Sequence, residues 1–210
     1  MMPASAQWVV FLSAAFLLAI VPGPGMLYVL SRSLAGGRRE GILSALGTLV
    51  GGLMHVLAAA AGISILLAQS ALAFASVKYA GAAYLCFLGV RMIMDRGSGR
   101  ELPTDRLRTA RRPFRQGIVT ETLNPKTALF FLSFIPQFVD HHNGHIFRQF
   151  VELGTVSVFL NTSADLVVIM LTAPLGERIR SSYVFRRRQR TVTGFIMIGL
   201  GTYLATSDSR

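Results

Sequence analysis

Cysteine is almost absent from this chain of 210 residues, in which Cys86 is the single example. An internal disulfide and a paired-thiol redox motif are therefore excluded, and we expect Cys86 to pack in an apolar helix. Acidic residues are scarce as well, since 10 Asp and Glu stand against 21 Lys and Arg, with a net charge of +11. No aromatic stacking surface accompanies the arginines, so we expect no nucleic-acid partner and expect contact with anionic membrane lipid instead.

The motifs of enzymes and of ATP-driven pumps are also missing. We find no glycine-rich nucleotide-binding loop, no nucleophile elbow and no spacing of His, Asp and Glu typical of a metal site. His141, His142 and His145 crowd one loop, where an exposed polar loop explains them better than metal binding does. Residues 1–7 carry no charged side chain, unlike the start of a cleaved signal peptide. We therefore expect no metal, no cofactor and no enzymatic activity.

Apolar sequence is abundant, at 52% hydrophobic residues. It falls into spans that mostly have about 20 residues or more, enough to cross roughly 30 Å of hydrocarbon as an α-helix. The alternating polarity of a membrane barrel is not seen. The predicted fold class is an all-α integral membrane protein, a single transmembrane domain over residues 1–210 with spans at 8–30, 42–67, 72–94, 117–139, 148–172 and 191–206.

The basic residues predict the orientation of these spans. Most of the 21 lie around the loops after spans one, three and five, and basic short loops stay on the cytoplasmic side. Both termini are therefore predicted outside. The longest loop, 95–113, divides the chain into halves 1–94 and 114–210 of three spans each. If the halves are related, the odd number of spans requires them to be inverted in the membrane.

The first span is interrupted by the motif Pro22-Gly23-Pro24-Gly25. Each proline removes an amide donor, so the carbonyls of Leu18 and Ile20 are predicted to lose their helical partners. A structural kink is one interpretation. We favour the other, an unwound segment that lines a substrate pathway.

The fourth span contains Asn124-Pro125-Lys126. Asn is a good N-cap and Pro is favoured at the first helical position, which predicts two half-helices joined near Asn124. Lys126 beside the amide-rich end of the second half indicates a carboxylate site, or else a structural ion pair. A lysine inside a span costs about 2.5 to 3.5 kcal/mol, so a partner is expected.

Two carboxylates lie inside spans, Asp165 and Glu121. Counting from the cytoplasmic ends places Asp165 within roughly 3 Å of the height of Lys126, with Asn161 in the same layer and Glu121 shallower. We therefore predict Asp165, rather than Glu121, as the partner of Lys126. His55 is either a neutral histidine bonded to a neighbouring helix or part of a proton relay.

With these motifs the chain resembles the lysine exporter and homoserine/threonine-resistance (LysE/RhtB) family of amino-acid exporters. Asp165 matches a recurrent acidic position of that family. Gly25 and Glu121 depart from it, since the family often has Asn, Asp or another small residue at the first and a neutral polar residue at the second. The similarity covers nearly the whole chain and runs through Pro22-Gly23-Pro24, Gly37-Arg38-Arg39, Gly41, Gly47, Gly51, His55, Gly81-Ala82-Ala83-Tyr84-Leu85, Leu88-Gly89, Gly117, Asn124-Pro125-Lys126, Phe130-Phe131 and Pro136-Gln137-Phe138.

The resemblance implies a bacterial inner-membrane carrier that exports amino acids or close derivatives in exchange for protons. Threonine, homoserine and homoserine lactone are the preferred candidates. Export of a cationic amino acid or another small solute is the alternative, in which Glu121 supplies extra negative charge, and a membrane-embedded enzyme is least favoured. Whether the chain forms a homo-oligomer is left open.

Overall fold

The computed structural model describes residues 5–69, 71–94, 112–140, 145–181 and 183–206, and these are helical throughout except at short connections. The predicted all-α fold is confirmed. Most of the basic loop 95–113 and the histidines at 141 and 142 lie outside the described residues. The helices are α1 (Ser5–Ile20), α2 (Pro24–Gln69), α3 (Ala71–Met94), α4 (Pro113–Thr122), α5 (Pro125–Leu129), α6 (Ile146–Ser181) and α7 (Tyr183–Thr206).

Helix α2 changes direction at Gly37, whose φ of 75° lies in the left-handed region that glycine tolerates best. A straight helix over Pro24–Gly62, which has 39 residues, would be about 58 Å long. The kink instead divides it into two shorter helical segments. Arg32, predicted in the loop, lies in the helix before the kink and is fully buried. Its guanidinium pairs with Glu40 at 3.0 Å, which supplies the partner that a buried cation needs.

Glycines allow the helices to approach closely at Gly47 and Gly51. A Cβ on Gly47 would collide with the carbonyl oxygen of Phe114, and one on Gly51 would lie 2.8 Å from that of Ile118. Helix α2 therefore packs directly against α4, and it also packs against α6, while α3 packs against α7. The half-buried Cys86 contributes to the second contact by donating to the carbonyl of Ile198 at 3.8 Å.

The fourth span consists of two half-helices, as predicted, but its end departs from α-geometry. After α5 the chain forms a π-helical turn over Phe130–Phe134 and a 3₁₀ turn over Ile135–Phe138. Pro136 lies in the second turn. Because proline lacks an amide proton and clashes with the carbonyl four residues earlier, the α-helix cannot continue through it.

Many large apolar side chains of the described residues are exposed, whereas several charged side chains are buried. Leu72 is 78% exposed and Phe195 63%, while Glu121 is 2% exposed. Within the described residues, two helical stretches are long and apolar enough to cross a membrane, Pro24–Gly62 and Ile146–Thr172, and two are shorter, Gln7–Ile20 and Gly194–Thr206. This distribution suits a lipid environment. The total of six spans stays a prediction.

Candidate functional site

The first helix break lies between α1, which ends at Ile20, and α2, which begins at Pro24. The amide of Val21 still donates to the carbonyls of Leu17 and Leu18, at 3.2 and 3.3 Å. Pro22 has no amide to offer, so the helical hydrogen-bond ladder stops there. The break predicted from the Pro-Gly-Pro motif is therefore present.

Lys126 supplies the hydrogen bonds that this break removes. Its ammonium donates to the carbonyl of Leu18 at 3.1 Å and to that of Val21 at 2.8 Å. The carbonyls of Leu18 and Ile20 lose their α-helical partners as predicted, because Pro22 and Pro24 have no amide proton. The carbonyl of Leu18 still accepts from the amide of Val21, and the carbonyl of Val21, which the sequence did not single out, takes the shorter of the two ammonium hydrogen bonds. Gly23 makes this approach possible, because a Cβ there would lie 3.0 Å from Cε of Lys126.

The second helix break, between α4 and α5, is capped as the sequence predicts. Oδ1 of Asn124 accepts from the backbone amide of Lys126 at 3.1 Å, and Pro125 occupies the first turn. Helix α5 has five residues, and Lys126 in its first turn is 5% exposed.

Glu121, rather than Asp165, is the carboxylate at the centre of the site. Its Oε2 accepts from the amide nitrogen of Asn124 at 3.1 Å, and its Oε1 accepts from the hydroxyl of Thr127 at 2.6 Å. Its backbone carbonyl accepts from Nε2 of His55 at 2.9 Å. His55 is thereby bonded to a neighbouring helix, which agrees with the first interpretation of that residue.

The predicted ion pair between Lys126 and Asp165 is wrong for this conformation. Asp165 is fully buried and accepts from the hydroxyl of Thr48 at 3.1 Å through Oδ2, while its Oδ1 has no hydrogen-bond partner among the described residues. Counting residues along a helix gives the height of a side chain in the membrane but not the direction in which it points. Glu121, in the last turn of α4, points into the site.

Glu121 and Lys126 line one small cavity without forming an ion pair to each other. The cavity measures about 30 Å³, enough for one or two water molecules. Asn161 lines the cavity, as predicted, but Asp165 does not. The lining residues are Ala15, Leu18, Ala19, Thr48, Gly52, Glu121, Lys126, Thr127, Phe130, Phe131, Ser157, Val158, Asn161 and Thr162.

Sequence reasoning missed the hydroxyl residues of this lining. Ser157, Asn161, Thr162 and Asp165 follow one another along α6 at spacings of four, one and three residues, which places them on one side of a helix. That polar stripe within an apolar span was the available signal. Thr127 and Thr48 carry no comparable signal, because their partners Glu121 and Asp165 lie on different turns or helices.

Aromatic rings fill the space between the cavity and the N-terminal end of α1. The rings of Phe130 and Phe134 stack at 5.0 Å, Phe134 and Phe138 lie 5.1 Å apart, and Phe138 and Phe11 lie 5.4 Å apart. Trp8 continues the series 5.7 Å from Phe11. All of these rings except Trp8 are buried, so the cavity is closed on this side.

A lipid-compatible exterior, two broken helices and buried opposite charges around one small cavity are the features of a helical membrane carrier for a small solute. Residues 16–208 match the model of the LysE type translocator family. The chain belongs to this family of translocators, which confirms the resemblance found in the sequence and the assignment to a membrane.

Similar proteins extend over almost the same length. An uncharacterised membrane protein of Vibrio cholerae is 32% identical, over 96% of this chain and 98% of its own. One of Pseudomonas aeruginosa is 33% identical, over 95% and 94%. The leucine efflux protein of Salmonella choleraesuis is 27% identical, also over 95% and 94%. No solved structure matches the chain.

Proposed function

We propose that this translocator exports small zwitterionic amino acids, or close derivatives of them, across the bacterial inner membrane. The observation that carries the proposal is the pair of opposite charges, Lys126 and Glu121, which line one cavity without neutralising each other. A zwitterion carries the complementary pair of charges on a single small molecule. The leucine efflux proteins of Salmonella support amino acids as the solute class.

Lys126 is proposed to bind the carboxylate of the solute. An ammonium has three N–H donors, and the carbonyls of Leu18 and Val21 take two of them. The third remains for a ligand in the cavity. Because the two carbonyls fix the position of the ammonium, little side-chain entropy is lost on binding.

Glu121 is proposed to bind the ammonium of the solute. Each of its carboxylate oxygens accepts one hydrogen bond, from Asn124 or Thr127, and each keeps a free lone pair. Threonine, homoserine and leucine fit this scheme. Homoserine lactone would keep the contact with Glu121 but would offer Lys126 only a neutral carbonyl, and a cationic amino acid would bring a second positive charge.

Counterflow in proteoliposomes tests the proposal. Vesicles loaded with unlabelled amino acid should take up labelled threonine or leucine at a rate at least about tenfold above that of lysine or arginine. Empty vesicles are the control. Preferential exchange of lysine or arginine would establish the cationic alternative, and exchange of none of the four would contradict amino-acid transport.

Asp165 is proposed to carry the proton that drives export. Its Oδ1 is a buried carboxylate oxygen without a hydrogen-bond partner among the described residues, so a proton can occupy it without displacing another donor. Asp165 lies outside the lining of the cavity. Glu121 has both oxygens hydrogen-bonded and His55 is bonded to a backbone carbonyl, which makes them the weaker candidates.

The proposed topology has both termini outside and two inverted halves of three spans. After replacement of Cys86, single cysteines at Ser98, Asp105 and Arg186 should resist a membrane-impermeant thiol reagent in intact cells, because basic loops stay inside. Cysteines at Pro3, Asn143 and Asp208 should react. Disrupted cells, in which every position should react, are the control. Labelling of position 98 from outside would contradict this orientation.

A further inference from the structure

Two glycines of α2 form a slot that holds the side chain of Glu121. A Cβ on Gly25 would overlap Oε2 of Glu121, and a Cβ on Gly51 would lie 2.8 Å from its Cβ. Neither glycine has a positive φ; among the described glycines, Gly37 has one. Close approach of Glu121, rather than backbone freedom, is therefore what requires glycine at 25 and 51.

The carboxylate in this slot cannot yield to a new side chain without losing hydrogen bonds. Asn124 holds Oε2 and Thr127 holds Oε1. A methyl group of Thr48 closes another side, 3.5 Å from where a Cβ on Gly25 would lie. Filling the slot at position 25 would therefore push the carboxylate off Asn124 and out of its place beside the cavity.

We propose that Gly25 is a specificity-determining position: the space it leaves holds the Glu121 carboxylate at the cavity and so makes a free ammonium group on the solute a requirement for transport. This inference rests on the proposed function and deepens it. The solutes selected are unblocked amino compounds. N-acylated forms are rejected, because a neutral amide cannot compensate a carboxylate that is buried away from water.

The requirement is measured by competition in proteoliposomes that contain the full chain. Labelled leucine or threonine is exchanged against the same amino acid, and the unlabelled amino acid is compared with its N-acetyl form as inhibitor. Loss of a charge-assisted hydrogen bond corresponds to roughly 10- to 100-fold in affinity. The parent chain should therefore prefer the free amino acid by about that factor, and Glu121→Gln should lose the preference.

The variant Gly25→Ala should lose the preference in the same way although Glu121 is still present. The double variant Gly25→Ala/Glu121→Asp should regain at least part of it, because a carboxylate drawn back by one carbon leaves room for the new methyl group. Gly62→Ala is the matched control, since a Cβ there meets no atom within 4 Å, and it should behave as the parent does. The amount of folded protein is measured for each variant by size-exclusion chromatography.

Retention of the preference in Gly25→Ala or in Glu121→Gln, with exchange still present, would overturn this inference and leave the proposed function standing. Loss of exchange in Gly25→Ala without recovery on adding Glu121→Asp would also overturn it, since a general packing defect at position 25 would then be the cause. A parent chain that exchanges no amino acid would overturn the proposed function and this inference together.

Discussion

Lys126→Met is expected to lower amino-acid export roughly 10- to 100-fold, the range that corresponds to loss of a charge-assisted hydrogen bond. Methionine keeps most of the volume of the lysine stem but has no donor for the carboxylate of the solute. The carbonyls of Leu18 and Val21 lose their donor as well, so the variant should also be less stable. Initial rates of counterflow per folded molecule measure the first effect and thermal melting in detergent the second.

Lys78→Met is the matched control for this variant. Lys78 is a buried lysine of α3, and it does not line the cavity. Its replacement should leave export per folded molecule within about threefold of the parent.

Because Lys126 does not pair with Asp165, the double variant Lys126→Ala/Asp165→Ala should not recover export. Recovery would mean that the two residues form a structural ion pair, and near-normal export by Lys126→Met would contradict a binding role.

Asp165→Asn is expected to abolish proton-driven accumulation while exchange persists. Asparagine has the same shape and can still accept from the hydroxyl of Thr48, the contact that Oδ2 makes at 3.1 Å, but it cannot take up a proton. With one proton per solute, a gradient of one pH unit sustains at most about tenfold accumulation. The variant should show no accumulation under an imposed gradient, whereas its counterflow stays within about threefold of the parent.

Glu152→Gln provides the comparison for Asp165→Asn on the same helix. Glu152 pairs with Arg148 at 2.8 Å and is partly exposed, so neutralising it removes one carboxylate of α6 far from the cavity. Its accumulation should equal that of the parent. Unchanged accumulation by Asp165→Asn would exclude Asp165 as the proton carrier and would make Glu121 and His55 the next candidates.

Local signals in the sequence predicted the helix breaks well. Asn124 and Pro125 form the expected cap because capping depends on residues within one turn. The loss of the Leu18 carbonyl's helical partner likewise depends only on Pro22. The contact of Lys126 with the carbonyl of Val21 was not predicted, because the four-residue spacing shows which carbonyls lose a helical partner but not which of them a side chain from another helix reaches.

Contacts between helices were predicted less well. The choice between Asp165 and Glu121 depended on the direction of each side chain around its helix, which height alone does not give. The slot around Glu121 forms where Gly25 and Gly51 of α2 pack against α4. No sequence pattern within either helix predicts that contact. The ion pair of the buried Arg32 with the partly exposed Glu40 was likewise not predicted, because the kink at Gly37 brings the two together.

The hydrogen bonds from Lys126 to α1 also bear on how the protein is made. The lysine is 108 residues after Leu18 in the chain, and at about 5 to 20 residues per second a ribosome needs roughly 5 to 20 s to add that length. During this interval the carbonyl of Val21 lacks the donor that it has in the finished protein, and that of Leu18 has only the amide of Val21. A backbone carbonyl that is left unpaired in lipid costs several kcal/mol. A nascent chain that stops before Lys126 therefore carries an unfinished helix break after α1.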